Sequence, residues 1–139
     1  MSDGTMSGAA MMSEDDLRAS AERYLHALTS QEIGTITELF DDDVEVRWPQ
    51  SGEHFKGKET CVRVFTTYPG GSPKMLGISR VHVGGQLVVG ESEVEYPDGK
   101  RYLSVAIMQF RDGKIVEETD YFAERFPAPE WRMQWVEHD

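Results

Sequence analysis

One cysteine, Cys61, stands in 139 residues, which excludes an intramolecular disulfide framework and any cysteine-based zinc site. Such sparing use suits a reducing compartment, so the expected location is cytoplasmic. Basic residues are also scarce. Lys and Arg number 14 against 25 Asp and Glu, a formal charge of −11. That balance argues against nucleic acid, which needs a concentrated basic face, and against anionic membrane surfaces. No stretch reaches the ~18 apolar residues that cross a bilayer. The four histidines, His26, His54, His82 and His138, form no His-x-x-x-His pair and have no carboxylate at ligand spacing, so no metal is expected. No glycine-rich loop follows a strand and opens a helix, which leaves a nucleotide cofactor without a seat. The expected cofactor complement is none.

What is present is 39% hydrophobic and 10% aromatic residues, enough for a packed core and in keeping with one domain. Residues 1–13, rich in Gly, Ser, Ala and Met, lack the basic start and continuous apolar stretch of a secretory signal and read as a flexible tail. The domain is expected over 14–139. Ser13 before Glu14-Asp15-Asp16 supplies an N-cap hydroxyl and first-turn acids. Leu17, Ala21, Tyr24, Leu25 and Leu28 then recur at helical spacing, predicting a helix over about 14–29. Ser30 is expected to cap a second short helix with Ile33, Ile36, Leu39 and Phe40 as its apolar stripe. Asp41-Asp42-Asp43 should end it as a solvated turn, because the spaced ligands, Gly and distal Glu of a calcium loop are missing.

Val44 to Trp48 alternates with period two and reads as a strand stopped by Pro49. A loop through Ser51-Gly52-Glu53-His54 to Gly57 follows, then a third helix marked by Cys61, Val64, Phe65 and Tyr68. After Pro69-Gly70-Gly71-Ser72-Pro73 come four β-rich runs, about 75–83, 86–96, 101–111 and 114–122. Their separators, Gly84-Gly85, Pro97-Asp98-Gly99 and Asp112-Gly113, are hairpin signals. Pro127-Ala128-Pro129-Glu130-Trp131 reads as a clasp that docks Trp131 and Trp135 over the mouth or a dimer edge. Helices followed by an antiparallel meander predict α+β, with N-terminal helices packed in the concave face of a curved, mainly antiparallel sheet. A cone of that shape has an open mouth and usually carries a pocket.

The order of these elements resembles the cystatin-like, nuclear transport factor 2-like fold of ketosteroid isomerases, limonene epoxide hydrolases and SnoaL-like polyketide cyclases. The resemblance rests on Ala21 to Leu28, Leu39-Phe40-Asp41-Asp42-Asp43-Val44, Phe55-Lys56-Gly57-Lys58-Glu59 and Phe110-Arg111-Asp112-Gly113-Lys114-Ile115-Val116-Glu117-Glu118 with Thr119 to Phe122. It spans about 14–122 and is strongest for SnoaL-like proteins. The cyclases of that group have an acid/base carboxylate a few positions after the Asp-Gly-Lys-Ile-Val turn, and Asp120 fills that position. The ketosteroid isomerase pattern keeps a tyrosine at Tyr24, but its two acids align with Trp48 and Met108, so steroid isomerisation is disfavoured. Fold alone does not choose an activity.

Period two puts Val116, Glu118, Asp120 and Phe122 on one face of the last run and Ile115, Glu117, Thr119 and Tyr121 on the other. The resemblance turns Asp120, and with it Glu118, toward the pocket. Two carboxyls at i and i+2 lie about 7 Å apart along the strand. When desolvated they repel, one pKa rises, and a carboxylate base stands beside a carboxylic acid. The expected catalytic set is Asp120 as acid/base, Tyr24 as a phenol donor to a developing oxyanion, and Glu118 or His54 assisting. A Tyr24–Asp120 bond would suit that role or a purely structural one. Trp48, Val46, Tyr102, Ser104, Met108 and Phe122 are the expected ligand-lining residues. Both faces of the 101–111 run are largely apolar, one for the pocket and one for a homodimer through the outer sheet face. The reading is an enzyme of cyclase, isomerase, dehydratase or hydrolase type on a small apolar carbonyl compound. The alternative is a non-catalytic ligand-binding or dimerisation module. A protein-binding adaptor would need an exposed apolar patch.

Overall fold

The computed structural model describes residues 11–139; most of the tail expected over 1–13 lies outside the described residues. Helix α1 runs Glu14–Ser30, capped by the Ser13 hydroxyl, which accepts from the Asp16 amide at 3.1 Å. It ends on Gln31 in the left-handed conformation (φ 57°). Ser30 therefore closes α1 instead of capping the next helix. Helix α2, Ile33–Leu39, starts from Glu32 with no side-chain cap.

Strand β1 follows at once, Phe40–Trp48, so Asp41-Asp42-Asp43 is part of a strand and not a turn. The reason lies in its pairing. β1 lies parallel to β6, and five steps along β1, from Phe40 to Glu45, face only two along β6, from Ile115 to Glu117. The acids occupy this outward bulge, where three like charges reach water. Strand β2, Glu53–Lys56, forms from the expected loop by pairing back on β1, with Val46 opposite Phe55. Helix α3 covers Lys58–Thr66.

The four remaining runs are strands: β3 Lys74–Gly84, β4 Leu87–Glu95, β5 Arg101–Arg111 and β6 Lys114–Glu124. The sheet order is β2-β1-β6-β5-β4-β3, with the last four neighbours in chain order as their hairpins predict. A short 3-10 helix, Glu130–Trp135, follows. Its Trp131 and Trp135 are 71% and 72% exposed, so within this chain the expected clasp does not close over the mouth.

The core lies between the helices and the inner sheet face: Leu17, Ala21, Tyr24 and Leu25 from α1 meet Val88, Ala106, Met108 and Phe110. Met12 packs against it and is part of the fold. Gly90 faces α1, and a Cβ there would stand 2.8 Å from Leu25 Cδ1 and 3.5 Å from Met108 Cε. That missing side chain lets α1 settle into the sheet. Gly90→Val should therefore destabilise by about 1–3 kcal/mol through overpacking, in urea unfolding. Adding Leu25→Ala should recover part of the loss; a double variant no better than the sum of its parts would contradict this contact.

Candidate functional site

The site begins with a register change. Between Gln109↔Glu117 and Phe110↔Ile115 the β6 strand takes two steps against one on β5, which makes Val116 the extra residue of a bulge. Ile115 is therefore buried with Glu118 and Asp120, and Val116 is displaced from the face that strict alternation assigns to it. The bulge keeps a greasy residue inward at the narrow end and returns the strand to a phase that turns Glu118, Asp120 and Phe122 into the cone.

Glu118 is 1% and Asp120 3% exposed, the deepest charged side chains in the described core. Tyr24 Oη donates to Glu118 Oε1 at 2.5 Å. Trp48 Nε1 donates to Asp120 Oδ2 at 3.0 Å. Neither acid has a basic partner among the described residues. Arg125 binds Glu93 at 2.7 Å and Arg132 stacks on Trp131, so neither arginine neutralises Asp120. Glu118 Oε2 is buried and faces no donor. A proton held on Glu118 and shared with Asp120 would resolve that deficit. Loss of hydration, repulsion by Asp120 and that donated hydrogen bond hold the Glu118 carboxyl well above the usual range, outweighing the Tyr24 phenol. Burial pushes Asp120 up to about 6, held back by bonds from Glu118 and Trp48 to its ionised form. Burial, then the charge of Glu118, raises the Tyr24 phenol. The arrangement is a pair of buried carboxyls, each held above its ordinary range, with a phenol at one end and an indole at the other.

Tyr24 is fully buried and committed to Glu118. Its hydroxyl meets Glu118 and not the Asp120 of the expected Tyr24–Asp120 bond. His54 is brought nowhere near the acids. In the β1–β2 register Phe55 shares the inward side of Val46, so His54 falls on the other face, where Nε2 meets Glu45 Oε1 at 2.9 Å. Val46 and Met108 are fully buried core residues. Met108, paired with Glu118, walls the acid apolarly. Cys61 is buried, and loss of hydration pushes its thiol up to about 11, which makes it inert. Among the described residues no three His, Cys, Asp or Glu side chains stand together as a metal site.

Trp48, Tyr102, Ser104 and Phe122 do line space. A cavity of about 640 Å3 opens at the mouth, bounded by Trp48, Tyr68, Tyr96, Tyr102 and Phe122. Beneath it lies a hollow of about 70 Å3 that shares Trp48, Tyr68, Tyr96 and Phe122 and adds Ser92 and Ser104. The rings of Trp48, Phe55, Phe65 and Phe122 pack edge to face, with Trp48 4.9–6.0 Å from the other three. They pack the wide end, and Trp48, which lines the hollow and bonds Asp120, stands between the two. Helical spacing assigns Tyr68 to the third helix and alternation carries Tyr96 into the 86–96 run, but α3 ends at Thr66 and β4 at Glu95, so both tyrosines lie in loops. Alternation places Ser92 inward, directly across from Ser104, whereas the two tyrosines meet only through the closure of two loops.

The SnoaL-like domain model matches residues 21–118. Among solved structures, an NTF-2 like protein of unknown function from Burkholderia xenovorans is 32% identical, with 91% of this chain and 97% of that one covered and a TM-score of 0.82. A ketosteroid isomerase-like protein from Kribbella flavida shares the fold at 24% identity, 90% of each chain and a TM-score of 0.80. An LEH-like epoxide hydrolase of M. tuberculosis shares it at 18% identity, 78% of this chain, 83% of that one and a TM-score of 0.68. No curated protein matches. The inward acids, the helix-filled cone and the matched span lead to one conclusion: the chain belongs to the SnoaL-like domain family, on the nuclear transport factor 2-like fold.

Proposed function

We propose that the chain is a cofactor-independent acid/base enzyme, with Asp120 as the base that removes a proton from carbon next to a carbonyl. The observation that carries this reading is the carboxyl pair itself. Burying two acids without a cation costs stability, and such cost concentrates where a perturbed pKa serves chemistry. A carboxylate with a pKa of about 6 is ionised at neutral pH and still basic enough to accept a proton. Glu118 holds the pair's other proton and can pass it along; Tyr24 fixes Glu118 through the 2.5 Å bond. The Ser104 hydroxyl, which lines the hollow, is the group we assign to the substrate carbonyl. Access to Asp120 runs past Trp48, whose indole must release Oδ2 and turn aside. Cyclisation, isomerisation, dehydration or hydrolysis would each begin from such a step.

We further propose a homodimer through the outer sheet face, in the cytoplasm. Leu103 and Tyr121 are 42% and 43% exposed on neighbouring strands beside half-buried Val105 and Ile107. That is a contiguous apolar surface on the side away from the acids. Residues 14–139 act as a single domain in this reading.

The direct test uses 2-tetralone in D2O, following deuterium incorporation next to the carbonyl by NMR. The protein should accelerate exchange over buffer, with the rate rising as pH passes about 6, where Asp120 ionises. Asp120→Asn should lower the rate by about 10²–10⁴-fold. Trp48→Phe removes a bond that favours the ionised form and should move the rise to higher pH. Exchange unaffected by Asp120→Asn would exclude Asp120 as the base.

The same pair sets the pH dependence of stability. Both folded-state pKa values are raised, so the native state is favoured below the ordinary carboxylate range and loses stability as pH rises through about 6 and beyond. Glu118→Gln keeps an acceptor for Tyr24 and removes one ionisable group. Urea unfolding should show the variant more stable at pH 8 by on the order of 1–4 kcal/mol and converging with the parent near pH 4. Sedimentation velocity should find twice the 15.7 kDa chain mass, and Tyr121→Asp should return the monomer.

A further inference from the structure

The lining of the mouth carries more chemical information than an apolar substrate requires. Its aromatic part is a chain of three tyrosines: Tyr68 and Tyr96 have centroids 5.1 Å apart and a 2.9 Å hydroxyl–hydroxyl bond, and Tyr96 meets Tyr102 edge to face at 5.1 Å. Trp48 and Phe122 stand with them around the same cavity of about 640 Å3. Its charged part has one sign. Glu53 and Asp98 line the cavity, and no Lys, Arg or His among the described residues does. Glu53 takes a hydrogen bond from Ser51 and Asp98 from the Lys100 amide, so each carboxylate is oriented by a neutral donor and paired with no described cation. Lys100, two residues from Asp98, has its ammonium 3.7 Å from Glu124, the same carboxylate that accepts from Tyr102. Behind Trp48 the ionised Asp120 adds negative potential, and the chain as a whole carries −11.

Aromatic walls and carboxylates without counter-cations disfavour an anionic ligand and attract a cation, because each ring presents a negative face and each carboxylate a full charge. Glu53 and Asp98 are exposed at the rim, where their charge meets an incoming ligand first. We infer that this mouth recognises a protonated amine, so that the substrate is an aminoalkyl or aminoaryl carbonyl compound. Its ammonium sits among Tyr68, Tyr96, Glu53 and Asp98, and its apolar body points toward Trp48 and the hollow. The inference rests on the proposed reading for the carbonyl end of the ligand; the cation preference stands on the mouth alone.

Three soluble probes of similar size separate charge from shape: 2-phenylethylammonium, 2-phenylethanol and 3-phenylpropanoate. Titrating each into the full chain and following the Trp48 indole N–H resonance, assigned by its absence from Trp48→Phe, gives their affinities. The ammonium should bind about tenfold tighter than the alcohol, the size of one desolvated cation–π contact, and the propanoate weakest. Raising salt should narrow the gap. The Glu53→Gln, Asp98→Asn double variant should bring the ammonium close to the alcohol. Equal or tighter binding of the alcohol or propanoate, no response to any probe, or a preference that survives the double variant would each overturn the inference. The 2-tetralone exchange assay, run on the same sample, keeps the two readings apart. Exchange without a cation preference sinks the amine alone, and a cation preference without exchange sinks the catalytic reading alone.

Discussion

Everything distinctive in this chain follows from a desolvated pair of carboxyls on one face of β6. Water would hydrate Glu118 and Asp120 far better than the cone does, and no described lysine or arginine offsets the loss. Two hydrogen bonds hold them there, the Tyr24 phenol on Glu118 and the Trp48 indole on Asp120, and the proximity of the two acids favours retention of a proton between them. A proton retained by the pair leaves one charge to bury instead of two. Tyr24 and Trp48 come from α1 and β1, so the helix and both strands must be assembled before the pair can be accommodated.

The same constraint explains the shape of the cone. The narrow end is filled by aliphatic side chains and Phe40, which excludes water from Glu118. The wide end is filled by interlocked rings, with a small hollow and a larger mouth beyond them. Trp48 belongs to both systems. Its ring packs against Phe55, Phe65 and Phe122 while its N–H holds Asp120, which couples the packing of the mouth to the electrostatics of the base. A ligand that displaces the indole also removes a bond that keeps Asp120 acidic, so arrival and activation are one event.

Much of the fold was legible in the sequence because its signals are local. Ser13 caps α1, Asp112-Gly113 turns β5 into β6, and alternation fixes the inward row from Tyr102 to Phe110. The misreadings share one cause, dependence on partners distant in the chain. Asp41-Asp42-Asp43 looks like a turn until β1 is laid parallel to β6; the loop around His54 becomes a strand only by pairing with β1. One bulge, invisible to strict alternation, exchanges Val116 for Ile115. At the site, the inward direction of Asp120 and Glu118 came from period two and the family resemblance together. The attachment of Tyr24 to Glu118, and not to Asp120, depends on how far α1 slides over the sheet, which no local pattern encodes. Tyr68 and Tyr96 lie just past the ends of α3 and β4, and the periodicity that reaches toward them cannot show that their loops close on each other.

A carboxyl pair that holds one proton near neutrality has a direct spectroscopic signature. Carboxyl-detected NMR of chain labelled at Asp and Glu, titrated from pH 3 to pH 9 and assigned with Asp120→Asn and Glu118→Gln, reads it directly. Asp120 should titrate near pH 6 and Glu118 well above the ordinary carboxylate range. Both carboxyls ionising together near pH 4, as exposed acids do, would contradict it.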